Sequence, residues 1–349
     1  MDPTRTPVAA PTLEDVARVA GVSRATVSRV INGQRHVKPT LQATVMEAVA
    51  MTGYVPNRAA RSLVTRRTGT VAVIISGTEQ EPDDELYLPG VLADPFFGRT
   101  VGSFIRALRP HDVHPVLLVA DSDAARDQAL AYLRFGNADG ALLVSTHGAD
   151  PLPRLVMGTG RPVVVFAHPP EPMPVSYVDV ANADGGRLAA HHLLDRGCRS
   201  LGVVAGPEGV RAARERLSGF RDAAARRGHA FVPSVEGVFT FDSGEAAATL
   251  LLEQNPALDG IFAANDLMAQ GALRALAAAG RRVPDDVAVV GFDDSAAAEQ
   301  ARPRLTTVRQ PVEQMAAEMA RLLLAQIDAG EPLVQSSIFE PTLVVRESA

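Results

Sequence analysis

Six side chains within a nine-residue stretch carry the first chemistry legible in this 349-residue chain. Arg24, Ala25, Thr26, Ser28, Arg29 and Asn32 share the outward face of a helical repeat whose inward positions are Val27, Val30 and Ile31. A guanidinium can donate two parallel hydrogen bonds to a guanine edge, and an alanine methyl can touch the methyl of thymine. Hydroxyls and a carboxamide can hold phosphates or base edges. The same residues would also suit a solvated helix face, so their types admit a nucleic-acid reader without requiring one. Catalytic chemistry finds no such grouping. No glycine fingerprint follows a strand pattern, and there is no phosphate loop, zinc-protease helix or Gly-x-Ser-x-Gly elbow. His191 and His192 are adjacent on a helical segment, face different directions and make a poor metal pair. Cys198 is the single cysteine, which excludes internal disulfides and multi-cysteine metal sites and reads as a small buried hydrophobe. Neither catalysis nor a cofactor is expected.

The outward face needs a scaffold, and the first sixty residues supply one. Thr12 can cap a helix with Asp15 reaching back as a capping box, and Leu13, Val16, Ala17 and Ala20 then form one apolar face. Gly21 stops that helix, Val22 packs beneath the turn, and Ser23 caps the next, from Arg24 to about Ile31. Two short helices joined at a glycine have helix-turn-helix spacing. A third helix starts at Thr40 behind Pro39, uses Leu41, Val45, Ala48 and Val49, and ends at Gly53. Charge follows the same division. Up to Thr68, ten Lys and Arg stand against four Asp and Glu, a net of +6; the whole chain carries −6, which leaves −12 for the rest. A basic head on an acidic body concentrates the attraction for phosphate in one place. The composition, 46% hydrophobic and 21% charged, is that of a globular protein, and no apolar run approaches the roughly 18 residues of a membrane span. The first ten residues lack a secretion pattern, so a cytoplasmic location without membrane contact is expected.

The run TLEDVARVAGVSRATVSRVIN, from Thr12 to Asn32, and its continuation GYVPNRAARSL, from Gly53 to Leu63, strongly resemble the DNA-binding signature of the lactose-repressor (LacI/GalR) family. The resemblance implies DNA contacts from Thr12, Ser23, Arg24, Ala25, Thr26, Ser28, Arg29, Asn32, His36, Tyr54, Asn57, Arg58, Ala60 and Leu63. It also implies a hinge helix capped by Asn57, too short to persist alone because nucleation is costly. Such a hinge orders on DNA beside its twin in a homodimer, with Leu63 wedged between base steps in the minor groove. A linker helix whose leucine packs on the core is the plainer alternative. The expected organisation is an all-α head over 1–56, a hinge and linker over 57–69 and a core over 70–349.

In that core, apolar β-rich runs alternate with helical stretches. The runs are Val71–Ile75, Val116–Val119, Ala141–Val144, Val163–Phe166, Leu201–Ala205, Gly260–Ala263 and Val287–Val290. Helical segments include Gly98–Leu108, Ala124–Phe135, Gly185–Arg196, Ala212–Arg227 and Leu267–Ala279. This alternation predicts an α/β core of two doubly wound parallel-sheet lobes, with a ligand cleft at the carboxyl ends of the strands. The resemblance extends here and implies a periplasmic-binding-protein-like fold, with one lobe at about 70–197 and 310–335 and the other at about 198–309 and 336–349. Asp94-Pro95-Phe96-Phe97 is similar to the family's Asn/Asp-Pro-Phe-Phe segment, where an aromatic ring can stack on a sugar or base; one ring in the cleft and one in the core is expected. Arg214 to Gly219 is similar to the segment that sends Arg216 into the cleft. Asn265-Asp266-Leu267-Met268-Ala269-Gln270-Gly271 and Gly291-Phe292-Asp293-Asp294 resemble two further motifs, which implies ligand contacts from Asn265 and Asp293 and a capping role for Asp266. Asp184 is placed with this effector set. Arg304 to Pro311 resembles the crossover between lobes. Two departures stand out: Thr78 to Leu92 is inserted before Asp94, and Ala181 replaces the aspartate common before the asparagine at 182.

Taken together, the resemblance implies a homodimeric, sequence-specific DNA-binding transcriptional regulator, a repressor. It would read a near-palindromic double-stranded operator and answer a small-molecule effector, a carbohydrate or related metabolite, with a nucleoside as the alternative. The residues do not distinguish an inducer from a corepressor. A transporter's binding protein would share the core but not the basic head. An enzyme on the same scaffold, or a core that answers a protein partner, are the other rivals.

Overall fold

The computed structural model describes residues 11–31, 37–55, 67–76, 94–144, 147–148, 150–169, 171–330 and 333–349. Asn32, His36, Asn57, Arg58, Ala60, Leu63 and the 78–92 insertion lie outside the described residues. The chain divides into two compact units, Met1–Thr68 and Gly69–Ala349.

The first unit contains α1 (Leu13–Ala20), α2 (Arg24–Ile31) and α3 (Pro39–Thr52). Its helix ends are those that local chemistry demands. The Thr12 hydroxyl accepts the Asp15 N–H while the Asp15 carboxylate accepts the Thr12 N–H at 3.0 Å, a complete capping box. Gly21 closes α1 at φ 64° and Gly53 closes α3 at φ 65°, the left-handed region in which glycine carries no Cβ penalty. Val16, Val27, Val30, Val45 and Ala48 make the core, with Val22, Ile31 and Tyr54 packed at its margin.

The second unit contains two six-stranded sheets among the described residues. In the N-lobe the strands are β1 (Thr70–Ser76), β2 (His114–Ala120), β3 (Gly140–Val144), β4 (Val163–Phe166), β5 (Ser176–Val180) and β11 (Ser336–Phe339), in the order β11-β5-β4-β3-β1-β2, all parallel. Alternate residues of β1 serve opposite faces. Val71 and Val73 meet α4 (Pro95–Leu108) and α12 (Val312–Ala329), while Ala72 and Ile74 meet α5 (Asp123–Arg134) and α6 (Leu152–Met157). The C-lobe sheet runs β12-β10-β9-β8-β6-β7. Its strands are β6 (Leu201–Ala205), β7 (Ser234–Glu236), β8 (Gly260–Ala263), β9 (Ala288–Asp293), β10 (Thr306–Arg309) and β12 (Thr342–Val344); β12 is antiparallel to β10 and the other pairs are parallel. Helices α7 (Asn182–Asp195) and α8 (Arg211–Arg226) cover one face, α9 (Phe241–Gln254) and α10 (Asp266–Ala278) the other, and α11 (Ala296–Gln300) follows β9.

The lobe limits differ from expectation at two crossings. Helix α7 packs on α8 and the C-lobe sheet, so the first crossing falls at Ala181 rather than near 197. Strand β11 pairs with β5, so the chain returns to the C-lobe after Phe339 rather than at 336. The crossing between β10 and α12 lies at Gln310-Pro311. Strands β5, β7, β10, β11 and β12 are additions to the sequence reading. They are polar or short, and the hydroxyls of β10 show why a polar strand can be central: Thr306 and Thr307 are fully buried because Ala349 O and the Asp266 carboxylate accept from them.

Candidate functional site

On α2 of the first unit, Ser23, Arg24, Ala25 and Arg29 are exposed and Thr26 and Ser28 half-buried, opposite the sealed Val27 and Val30. The Ser23 hydroxyl accepts the Thr26 N–H at 3.2 Å, so its first task is to cap α2. Arg24 pairs with Glu14 at 3.0 Å, both side chains more than half exposed, a contact weak enough in water to yield to a base or phosphate. Thr12 is held in its capping box with its backbone at the start of α1, where an anion meets the positive end of the helix. Tyr54 packs against the head core with part of its ring exposed.

In the second unit, a cavity enclosing about 730 Å³ of empty space, open solvent at its mouth included, lies between the lobes. Its lining follows the carboxyl ends of strands: Asp94 and Phe96 precede or open α4, Ala167 and His168 follow β4, and Asp179 and Asn182 flank the end of β5. Val210 and Arg211 follow β6, Phe239 follows β7, Asn265 follows β8, Asp293 ends β9, and Gln310 follows β10. This is where two facing doubly wound sheets present side chains, because each strand ends there and the next helix begins. Of the five non-glycine residues with positive φ among the described residues, Ala167, Phe239, Asp293 and Asp294 sit at or beside this cavity. Backbone of that kind persists only where surrounding contacts impose it, and it concentrates at sites that bind.

Arg216 is central. It reaches the cavity from α8, buried to 6% exposure, with its guanidinium 3.6 Å above the Phe292 ring. Nε donates to Asn182 Oδ1 at 2.9 Å and Nη1 to Ala264 O at 2.7 Å, with Asp293 Oδ1 3.7 Å away. Its Nη2 makes no hydrogen bond among the described residues. Close helix packing sets this reach: a Cβ on Gly219 would strike the Ala183 carbonyl, and one on Gly186 the Arg216 carbonyl. The two glycines therefore let α7 and α8 approach and bring Asn182 beside Arg216.

Four carboxylates surround that cation. Burial, then the Asp293 charge, pushes Asp94 up to about 7, against the Phe96 N–H that it caps at 2.9 Å. Near neutrality Asp94 is thus shared between hydrogen-bond donor and acceptor. Burial raises Asp293 as well, while Arg216 and the amide of Gln310 favour its ionised form. Burial raises Asp179, which accepts from the N–H groups of His168 and Val180 at 2.8 and 2.7 Å. Asp266 is pushed up to about 8 by burial and then by Asp293. Burial lowers the pKa of Arg216, and all four acids oppose that loss of charge.

The expected effector residues divide. Phe96, Phe97, Arg216, Asn265 and Asp293 line the cavity. Both phenylalanines do so, correcting the expectation of one: Phe96 stands edge-on to Phe97 and Phe166 at centroid distances of 5.3 and 5.4 Å, so the pair forms one apolar wall. Asp184 is not among the lining residues; it sits in the first turn of α7 and pairs with Arg187, while Asn182, two residues earlier, faces the cavity. The caps are also reversed. Asn265, not Asp266, caps α10 by accepting the Met268 N–H at 2.9 Å, and its amide donates to Phe239 O at 2.9 Å. Asp266 instead accepts from Ser295 N–H and the Thr307 hydroxyl at 2.7 and 2.6 Å, bracing the end of β9. His168, Asp179, Arg211 and Phe239 were not singled out from the sequence. His168 was within reach, since it follows an identified strand; Asp179 was not, because it lies inside polar β5. An apolar wall facing amides, carboxylates and a guanidinium suits a neutral, polyhydroxylated molecule. Among the described residues no group of His, Cys, Asp and Glu is arranged to hold a metal, and no helix is long and apolar enough to cross a membrane.

Comparison with known proteins agrees with both units. Residues 12–57 match the family model for bacterial regulatory proteins of the lacI family, and residues 190–349 match that of a periplasmic binding protein-like domain. The HTH-type transcriptional regulator CelR of Thermobifida fusca is 45% identical over 343 residues, covering 97% of this chain and 98% of that protein. A solved complex of transcriptional regulator CelR with cellobiose superposes with a TM-score of 0.74 at 42% identity, over 97% of this chain and all of that one. The lac repressor dimer bound to operator and the anti-inducer ONPF superposes at 0.81, with 26% identity, over 97% of this chain and 99% of that one. Identity at this level along almost the whole length places the chain in the lacI family, as a DNA-binding transcriptional regulator.

Proposed function

We propose that this regulator is a cytoplasmic homodimeric repressor of a near-palindromic operator, controlled by a carbohydrate bound between the core lobes, and that a gluco-disaccharide of the cellobiose type is the effector. The observation that carries the reading is the cavity itself: two phenylalanine rings on one wall, with Arg216, Asn182, Asp293, Asp179 and Gln310 opposite or beside them. Sugar rings offer an apolar face to aromatics and a rim of hydroxyls to planar, charged and amide groups. The 45% identity to CelR, and the cellobiose complex of CelR, support the choice of sugar. The outward face of α2 enters the major groove, and the segment that follows the head contacts the minor groove at the operator centre. Effector binding biases the arrangement of the lobes, and the 57–69 segment passes that bias to the operator complex. A 100-fold preference of the sugar for one arrangement corresponds to about 3 kcal/mol of coupling.

The test begins with the full-length protein and a pool of random duplexes. Enrichment of a palindrome with half-sites about one helical turn apart supports the dimeric reader. Cellobiose, glucose, ribose and a purine nucleoside are then titrated against that operator, followed by fluorescence anisotropy. A change in operator affinity with cellobiose and none with the nucleoside is the expected result. A response to the nucleoside alone overturns the carbohydrate reading.

A further inference from the structure

The carboxylate that faces the cavity from the C-lobe, Asp293, is carried on backbone that its own sequence does not favour: φ is 106° at Asp293 and 51° at Asp294. Left-handed backbone at two successive non-glycine residues needs outside support. Part of it is local. Asp294 N–H points to the Thr307 hydroxyl, and the Asp294 carboxylate is held by Arg309 Nε and Arg346 Nη2, each at 2.6 Å. The Asp293 carboxylate accepts from Gln310. All of these groups belong to the C-lobe or to the crossing at 310.

One further support comes from the other lobe. Arg99, on α4, sends Nη1 to Asp293 O at 3.0 Å and toward Asp294 O at 3.5 Å, and Nη2 to Gln310 O at 3.3 Å. The opposite edge of the same guanidinium grips Glu313 of α12, with Nε to Oε1 at 2.7 Å and Nη2 to Oε2 at 2.8 Å. The Glu313 pair lies within the N-lobe, so it aims the fork; the three carbonyls lie on the C-lobe and its crossing, so they receive it. Arg99 and Glu313 each favour the other's ionised form, and Arg99 stays charged beside the cavity. A planar fork can serve this many acceptors at once, whereas the point charge of a lysine cannot.

We infer that Arg99 is a positioning residue for effector recognition: it reaches across from the N-lobe to hold the Asp293–Asp294 backbone in its left-handed turn, so the Asp293 carboxylate is correctly presented only while the lobes are apposed. Effector affinity and lobe closure are thereby tied through one side chain that lies outside the cavity lining. The inference rests on the reading that the cavity is the effector site. Its consequence is directional: lobes that part withdraw the donors from three carbonyls, the turn relaxes, and the carboxylate turns away from a bound hydroxyl.

The experiment compares wild type, Arg99→Lys and Glu313→Gln as full-length proteins, with two readouts. The first is hydrogen–deuterium exchange of the peptide spanning 291–296 without any sugar, with peptides from α5 and α10 as internal controls. The second is the Kd for cellobiose by calorimetry. R99K is expected to speed exchange in 291–296 at least tenfold, leave the control peptides unchanged and weaken cellobiose at least tenfold. E313Q removes the charge but keeps a side-chain oxygen to accept from Arg99 Nε and so to aim the fork at the carbonyls; it is expected to change either readout no more than about threefold. Wild-type exchange in R99K overturns the inference, as does a faster exchange spread over α5 and α10, which would make Arg99 a general brace. E313Q matching R99K also overturns it, because charge pairing within the N-lobe would then suffice. If cellobiose fails to bind wild type, the choice of sugar falls, while the exchange readout still decides the role of Arg99.

Discussion

Asp94 offers a sharp test of the electrostatics of the cleft. In the folded chain burial and Asp293 push its carboxyl up to about 7, whereas the unfolded chain ionises near its ordinary value of 3.8. Between those values the folded state holds a proton that the unfolded state has released, so stability falls as pH rises from about 4 and levels off above about 7. Asp94→Asn removes this titration. Asparagine caps a helix as well as aspartate, so the bond from Phe96 N–H survives the change. From pH 5 to pH 8 the wild-type loss attributable to Asp94 is at most about 3 kcal/mol at about 1.4 kcal/mol per pH unit, taking effect up to pH 7. Solvent in the cleft mouth, and the favourable negative charge at the start of α4, reduce this to about 1–2 kcal/mol. Urea denaturation followed by far-UV circular dichroism, on wild type and D94N at both pH values, reads the difference directly; the chain has no tryptophan to follow. The variant should gain on wild type by that amount between pH 5 and pH 8. A gap that is constant with pH, or that closes as pH rises, would refute the assignment of a buried, charge-crowded carboxyl at 94.

Three further outcomes follow from the same contacts. Arg24→Ala should leave thermal stability within about 0.5 kcal/mol, because its pair with Glu14 is exposed, yet relax base choice at one operator position by about 1–3 kcal/mol; unchanged preference in a duplex selection would remove Arg24 from the groove. Asp293→Asn should weaken the effector by about 1.5–3 kcal/mol in calorimetry through loss of a charged acceptor, while binding of operator without effector persists. Loss of operator binding would instead give Asp293 a structural role. Gly219→Ala should lower core stability by about 2–3 kcal/mol in urea, since the new methyl meets the Ala183 carbonyl; a neutral result would contradict the close approach of α7 and α8.

The head was legible because its determinants are local. A hydroxyl at Thr12 with a carboxylate three residues on, glycines at 21 and 53, and valines at helical spacing specify where helices start, stop and bury a face. The apolar strands of the core were legible for a similar reason: β1, β3, β4, β6 and β8 are buried on both faces, so their sequences are continuously apolar. The polar strands were not, because what makes Thr306 and Thr307 acceptable in a buried strand is a set of partners at Ala349 and Asp266 that are distant in sequence.

In the cleft the division is between residue type and residue direction. Sequence, through its resemblance to the family, singled out Asp293, Asn265 and the Phe96-Phe97 pair at strand ends or helix starts and Arg216 within a helix, where two doubly wound lobes gather polar side chains. Only the tertiary structure decided which of them face inward. Asn265 rather than Asp266 caps α10, Asn182 rather than Asp184 looks into the cavity, and both phenylalanines share one wall. Arg99 reaches Asp293 across 194 positions of sequence. These choices depend on three chain crossings, on helix contacts permitted by Gly186 and Gly219, and on a left-handed turn held from the opposite lobe. Periodicity records which face of an element is apolar, whereas the aim of a polar side chain is set by partners that the chain meets only after it has folded.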